Sequence, residues 1–134
     1  MASFKPWDVV KVPFPYTDRP VRQHRPALVV AGRRLDAERD LLWVLMITSA
    51  ENRRWDDDVV ISDLDTAGLP APSVVRCAKI ATIEAHDAEK IGSLPRVTPS
   101  GVRSHDDRAK VAGHLRRTLA GATVAGPARK PARE

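Results

Sequence analysis

Between Arg19 and Arg34 the chain carries five arginines and no acidic residue, a run of fixed positive charge suited to holding phosphate. A guanidinium stays protonated and presents a planar fork that engages two oxygens of one phosphate group. Read plainly, the same stretch is a solvated loop with charged strand ends. Geometry divides the cluster. Five or six extended residues span roughly 17–20 Å, which puts Arg33 and Arg34 at the far end of a strand from Arg25. Arg19, Arg22, His24 and Arg25 are the members able to share one site. Histidine is the side-chain type that titrates near neutrality, so His24 is a candidate general base beside the arginines, although a loop histidine is also an ordinary surface residue.

Hairpin geometry adds a hydroxyl to that end. If the apolar runs on either side of Asp36-Ala37-Glu38-Arg39 pair about a loop centred between Asp36 and Ala37, Gly32 faces Leu41 and Arg25 faces Thr48. Directly opposite residues of an antiparallel pair share one face of the sheet. A guanidinium and a hydroxyl then converge at one strand end, next to Ser49, Arg53 and Arg54.

Other familiar chemistry is missing from the sequence. There is no glycine-rich phosphate loop, no G-x-S-x-G elbow and no His-x-x-x-His pair. His24, His86, His105 and His114 are scattered without ligand-like spacing, so no metal site and no cofactor are expected. The single cysteine, Cys77, has no partner for an intramolecular disulfide and reads as a small buried hydrophobe in a reducing compartment.

The elements that must position these residues are mostly strands. Asp8–Phe14, Pro26–Ala31, Leu41–Thr48, Asp58–Ser62 and Ser73–Ile83 are apolar runs rich in β-branched residues, the last with room for a bend. Prolines bracket these runs more often than they enter them. Beyond Ile83 the period changes to that of a helix, with Ser104 as N-cap, Asp106 and Asp107 in the first turn, a stripe of Val111, Leu115 and Leu119, and Gly121 as the stop. Several short strands followed by one helix predict a mainly β domain with a C-terminal helix, a small SH3-like β-barrel. It occupies residues 1–125, followed by a disordered basic tail over 126–134.

At 134 residues the chain is the size of one domain. Its formal net charge of +5 favours an acidic partner, nucleic acid first, with part of that charge carried by Arg129, Lys130 and Arg133 in the tail. The opening MASFKPWDVVKV lacks an apolar core, which reads as neither signal peptide nor membrane span and points to the cytoplasm. Trp7 and Trp43 read as core or dimer-face aromatics. Trp55, among Arg53, Arg54 and Asp56–Asp58, is placed to stack a base.

The run Trp7-Asp8-Val9-Val10-Lys11-Val12-Pro13-Phe14-Pro15-Tyr16-Thr17-Asp18, followed by His24-Arg25-Pro26-Ala27-Leu28-Val29-Val30, resembles the opening of MazF/PemK toxins, where a strand, a loop and an Arg-Pro-strand come in this order. Ile47-Thr48-Ser49 resembles that family's third-strand end. Ser73-Val74-Val75-Arg76-Cys77 with Ile80-Ala81-Thr82-Ile83 resembles its late strand. Three separated motifs in the right order cover roughly residues 6–95.

The resemblance implies a metal-independent endoribonuclease toxin that cuts single-stranded RNA, mRNA included, at short sequences by attack of the 2′-OH. It further implies a homodimer neutralised by a cognate antitoxin. Carried over position by position, it makes Arg25 and Thr48 the pair around the scissile phosphate and sets Arg76 in the same pocket. Arg19, Arg22, His24, Ser49, Arg53 and Lys79 would then contact substrate. Two departures stand out. Ala78 occupies a place where some PemK-like members carry an acid, and Arg19-Pro20-Val21-Arg22-Gln23 is shorter than the corresponding stretch of many relatives. The general base therefore stays open. Two alternatives stay open as well: a toxin of the same barrel type that poisons DNA gyrase by binding alone, and a member whose activity has decayed to a nucleic-acid or antitoxin-binding module.

Overall fold

The computed structural model describes residues 3–15, 22–52, 54–95 and 106–122. Six strands form one antiparallel sheet: β1 (Asp8–Pro15), β2 (Arg22–Arg34), β3 (Asp40–Ser49), β4 (Asp58–Val60), β5 (Ser73–Glu84) and β6 (Glu89–Ser93). Their order is β4-β5-β3-β2-β1-β6. The sheet bends in the manner of a barrel without closing, since β4 and β6 are its two edges. A short helix α1 (Leu64–Ala67) precedes β5, and helix α2 (Asp107–Ala122) follows the sheet.

Central β3 is buried on both faces. Leu45 and Ile47 join Val9, Leu28, Val59, Val75, Cys77, Leu94 and Val111 in one core. Leu42 and Val44 join Val10, Val12, Ala27, Val29 and Ile83 in a second. The alternation follows from the period of two along each strand. The Cys77 thiol is pushed up to about 12, by burial first and then by the nearby Asp57 and Asp58 carboxylates. It stays protonated at neutral pH and behaves as core.

The hairpin between β2 and β3 is centred on Ala37, which shifts the partners near the turn by one residue from the expected register. Gly32 faces Leu42 rather than Leu41, and Arg34 faces Asp40. Asp36 closes the turn by accepting from the backbone N–H of Glu38 and of Arg39. A bulge at Val30, between Val29 and Ala31, then takes up the extra residue and restores the expected register at Ala27↔Met46. β5 carries a larger irregularity. Ile80 faces Leu45 while Arg76 faces Met46, so residues 77–79 are looped out of the ladder. That is the bend anticipated in this run.

α2 begins two residues later than expected. Asp106 caps it, accepting from Ala109 N–H at 3.1 Å, while Ser104 lies outside the described residues. Asp107 is 1 % exposed and turns inward, accepting from the backbone N–H of Ser62 at 2.8 Å and from its hydroxyl at 2.9 Å. Val111 and Leu115 pack on the core, but Leu119 is 52 % exposed. The apolar stripe thus packs over Val111 and Leu115 and ends before Leu119. The expected tail over 126–134 also lies outside the described residues.

α1 and β6 escaped the sequence pattern. Asp63 caps α1, accepting from the Thr66 N–H and hydroxyl, which hold its carboxyl below the usual value. Gly68 ends the helix at φ 75°, the left-handed region that glycine enters without penalty. A Cβ at Gly68 would lie 2.0 Å from the Ile91 carbonyl oxygen, and one at Gly92 2.3 Å from the Ala67 carbonyl carbon. The two glycines let α1 and β6 meet backbone to backbone.

Gly92→Ala should therefore cost roughly 3 kcal/mol of unfolding free energy, the upper range for forced overpacking, and its melting curve measures that loss. Asp107→Ala should cost about 2–4 kcal/mol by leaving the Ser62 N–H without its partner. Asp107→Asn should recover part of that stability in the same chemical-denaturation series, since its amide oxygen still accepts.

Candidate functional site

Pro26 sets the geometry of this end of the sheet. It has no N–H to give to a ladder, and the β2–β3 pairing stops at Ala27↔Met46. β2 nevertheless runs on beside β1, with Pro26 facing Lys11, Arg25 facing Val12 and His24 facing Pro13. The two strands part just where Arg25 and Thr48 stand. Continuing the Ala27↔Met46 register by two residues sets Arg25 level with Thr48 on one face of the sheet. β3 meanwhile continues its pairing with β5, Thr48 facing Val74 and Ser49 facing Ser73.

A pocket of about 670 Å³ opens at this parting. Arg25, Pro26, Ile47, Thr48 and Ser49 border it on the sheet side, and Lys11 adds a second cation. The opposite wall is the segment from α1 to the start of β5, including Gly68, Leu69, Pro70 and Pro72, with Ile91 of β6. The glycine contact between α1 and β6 therefore builds a wall of the pocket as well as a joint of the fold. Apolar side chains dominate the lining, with Lys11 and Arg25 as its cations and Asp65 of α1 as its one carboxylate, a mixture able to take a flat ring and an attached polar group.

Thr48 is not alone at the rim. Its Oγ1 accepts a hydrogen bond from the Asn52 side-chain amide at 2.6 Å. The Thr48 O–H proton remains to be donated elsewhere, because a hydroxyl accepts on lone pairs and donates through its one hydrogen. Neither Asn52 nor Lys11 figured among the residues singled out from the sequence. Nothing in the sequence separates Lys11 from an ordinary outward charge in a strand.

Arg76 shares the sheet face of Thr48 by register, since it faces Met46 while Thr48 faces Val74. Diagonal neighbours of this kind stand about 7–8 Å apart. Its guanidinium, however, is held by Asp58 through two hydrogen bonds of 3.1 Å and lies 4.2 Å from the centre of the Trp55 ring. Asp58 is buried, and its carboxylate also accepts from Trp55 N–H at 2.9 Å. Arg76 thus ties β4, β5 and the Trp55 turn together, and Trp55 has one ring face against a cation.

The remaining residues divide. Ser49 borders the pocket, with its hydroxyl accepting from Glu51 N–H. His24 is exposed and adjacent to Arg25, so strand alternation points it to the opposite face. Lys79 is exposed in the β5 irregularity. Arg22 opens β2, opposite Pro15, while Arg19 and Arg53 lie outside the described residues. Among the described residues no three His, Cys, Asp or Glu side chains converge as a metal site would require, and no helix is long and apolar enough to cross a membrane.

Solved structures that share the fold include three toxin structures. An endoribonuclease in complex with its cognate antitoxin, from a mycobacterial species, is 16% identical with a TM-score of 0.60, covering 90% of this chain and 99% of its own. MazE–MazF from Deinococcus radiodurans is 17% identical with a TM-score of 0.58, covering 88% and 96%. The Mycobacterium tuberculosis toxin MazF-mt6 is 21% identical with a TM-score of 0.53, covering 87% and 97%. No curated protein matches the sequence. Residues 5–105 match the family of PemK-like, MazF-like toxins of type II toxin–antitoxin systems, and the chain belongs to that family.

Proposed function

We propose that the protein is a metal-independent endoribonuclease toxin that cleaves single-stranded RNA by attack of the 2′-OH. The observation that carries this reading is the placement of Arg25 and Thr48 at the parting of β2 and β3, on one sheet face and at the rim of one pocket. Phosphodiester transesterification within RNA asks little covalent chemistry of the protein. The substrate's 2′-oxygen forms a bond to phosphorus as it loses its proton, the bond from phosphorus to the 5′-oxygen breaks, and the 5′-oxygen gains a proton. The upstream product ends in a 2′,3′-cyclic phosphate and the downstream product begins with a 5′-OH.

Charge builds up on the non-bridging oxygens along this path. Arg25 is suited to meet it with two N–H donors and a fixed charge. Thr48 would donate its O–H to one of the same oxygens, as an oxyanion donor does. Arg76 stands on the same face two residues along, and its tie to Asp58 fits it to hold that edge and to add a partly balanced positive field. Lys11, Ser49 and Lys79, with Arg19, Arg22, His24 and Arg53, would steer the flanking nucleotides. As in the solved mycobacterial endoribonuclease complex, a cognate antitoxin would be the partner, here a neutralising one; the working unit would be a cytoplasmic homodimer, with residues 126–134 as a dispensable basic extension.

Purified protein should cut a long single-stranded RNA in EDTA, leaving a 5′-OH on the downstream fragment. A 2′-deoxy nucleotide at the cut site should block cleavage while leaving binding largely intact. Dependence on a divalent ion, or a 5′-phosphate downstream, would rule this chemistry out.

Arg25→Ala should abolish cleavage while circular dichroism stays native, and Arg25→Lys should not rescue it fully, because the fork is lost. Thr48→Ala should cost about 2–4 kcal/mol of transition-state stabilisation in single-turnover assays. The double variant should lose less than the sum, since both groups serve one phosphate. Normal rates in folded Arg25→Ala would remove this site and leave a binding module.

A further inference from the structure

The turn after β3 is fastened at each of its positions. Asn52 N–H donates to the Ser49 carbonyl at 3.0 Å, closing a four-residue turn. Glu51 N–H donates to the Ser49 hydroxyl at 3.2 Å. Ala50 N–H donates to the Pro72 carbonyl at 3.0 Å, tying the turn to the pocket's opposite wall. The backbone of Asn52 is therefore set by groups outside its own side chain, and its amide reaches Thr48 Oγ1 at 2.6 Å. Side chains held this way keep a reacting group within a narrow range of orientations.

We infer that Asn52 is a positioning residue: by donating to Thr48 Oγ1 it turns the threonine hydroxyl's proton outward, toward the phosphate oxygen. A hydroxyl rotates freely about its C–O bond and can spend its proton on any acceptor in reach. With an N–H directed at one lone pair, the O–H vector is excluded from that direction. The Thr48 hydroxyl then needs little reorganisation when charge develops on the phosphate, which is where preset donors gain over free ones. The inference rests on the reading of Thr48 as a phosphate donor and adds the group that aims it.

The polarity of the bond supplies the test. Asn52→Asp keeps the shape and replaces the donor with an acceptor, so the introduced carboxylate would draw the Thr48 proton away from the substrate. Asn52→Ala leaves the hydroxyl free to rotate. Asn52 is exposed and its turn is closed by backbone bonds, so both variants should fold, as circular dichroism would verify. Single-turnover cleavage should fall only a few-fold in Asn52→Ala and at least roughly tenfold further in Asn52→Asp, a sizeable share of what a lost oxyanion donor costs.

An added negative charge near the phosphate slows cleavage by itself, and the Thr48→Ala background isolates that effect. There Asn52→Asp should lose no more than a few-fold, because no hydroxyl remains to be misdirected. In the Thr48 background, the rate of Asn52→Asp relative to the parent should also recover as pH falls below about 4–5, where a carboxyl regains its proton and can donate again. An equal loss in both backgrounds would overturn the inference, as would parent-like rates in both Asn52 variants while Thr48→Ala is slow. Thr48→Ala at the parent rate would instead sink the reading of Thr48 itself, and the two failures are thereby told apart.

Discussion

Everything in this molecule is referred to the double burial of β3. A strand with one exposed face tolerates a slip of register at modest cost, but a slip of one residue in β3 would exchange Leu45 and Ile47 with Val44 and Met46 between two different environments. The pairings on either side are therefore fixed by packing and not by turn chemistry alone. That explains how the β2–β3 hairpin can start one residue out of the expected register and still deliver Ala27 to Met46. The bulge at Val30 is where the mismatch between turn and core is absorbed. The same logic operates on β5, where the three-residue excursion over 77–79 reconciles Val75 opposite Ile47 with Ile83 opposite Leu42. In both cases irregularity is placed on a neighbouring strand, and the central one stays regular.

The site follows from where that regularity stops. Pro26 removes one ladder donor just as the strands reach the rim of the sheet, so β2 stays with β1 and β3 stays with β5. Two strands that part leave their last side chains facing a gap, and here those side chains are a guanidinium and a hydroxyl. The gap is kept open by an independent device, the close meeting of Gly68 and Gly92 that brings the α1 segment over it. A functional site built at the ends of rigid elements needs only short loops to complete it.

Much of this was legible from residue types. The five long apolar runs are strands within a few residues of their expected ends, because β-branched runs bounded by proline and charge carry their own signal. Arg25 and Thr48 are not paired as the count from the turn expected, because the β2–β3 ladder stops at Ala27↔Met46. The count finds only that they stand level at the strand ends, and it runs through two compensating shifts that no sequence pattern announces. β6 was not legible: of Glu89–Ser93 only Ile91 is a large apolar residue, and an edge strand owes its existence to β1 beside it. α1 is four residues long, below the length at which periodicity can speak. Asn52 was missed for another reason. Its role depends on a turn folding the side chain back four residues, and nothing in the sequence separates that from any other polar turn residue.

Arg25 and Arg76 show how two like residues on one face come to differ. The Arg76 guanidinium is bracketed by a buried carboxylate and an indole ring, and removing either partner of so buried a pair would leave an uncompensated charge. Its position is dictated by the stability of the β4–β5 edge. Arg25 stands at the strand parting, where β2 has left β3 and keeps its place beside β1 opposite Val12. Ala78 belongs to the same distinction. It lies in the β5 excursion and is exposed, so a change of side chain there carries little cost to packing. A residue free of structural demand is retained or lost on chemistry alone. On the proposed reading, an arginine fork at the strand parting and a hydroxyl aimed by Asn52 would meet the electrostatic need of phosphate transesterification without help from position 78.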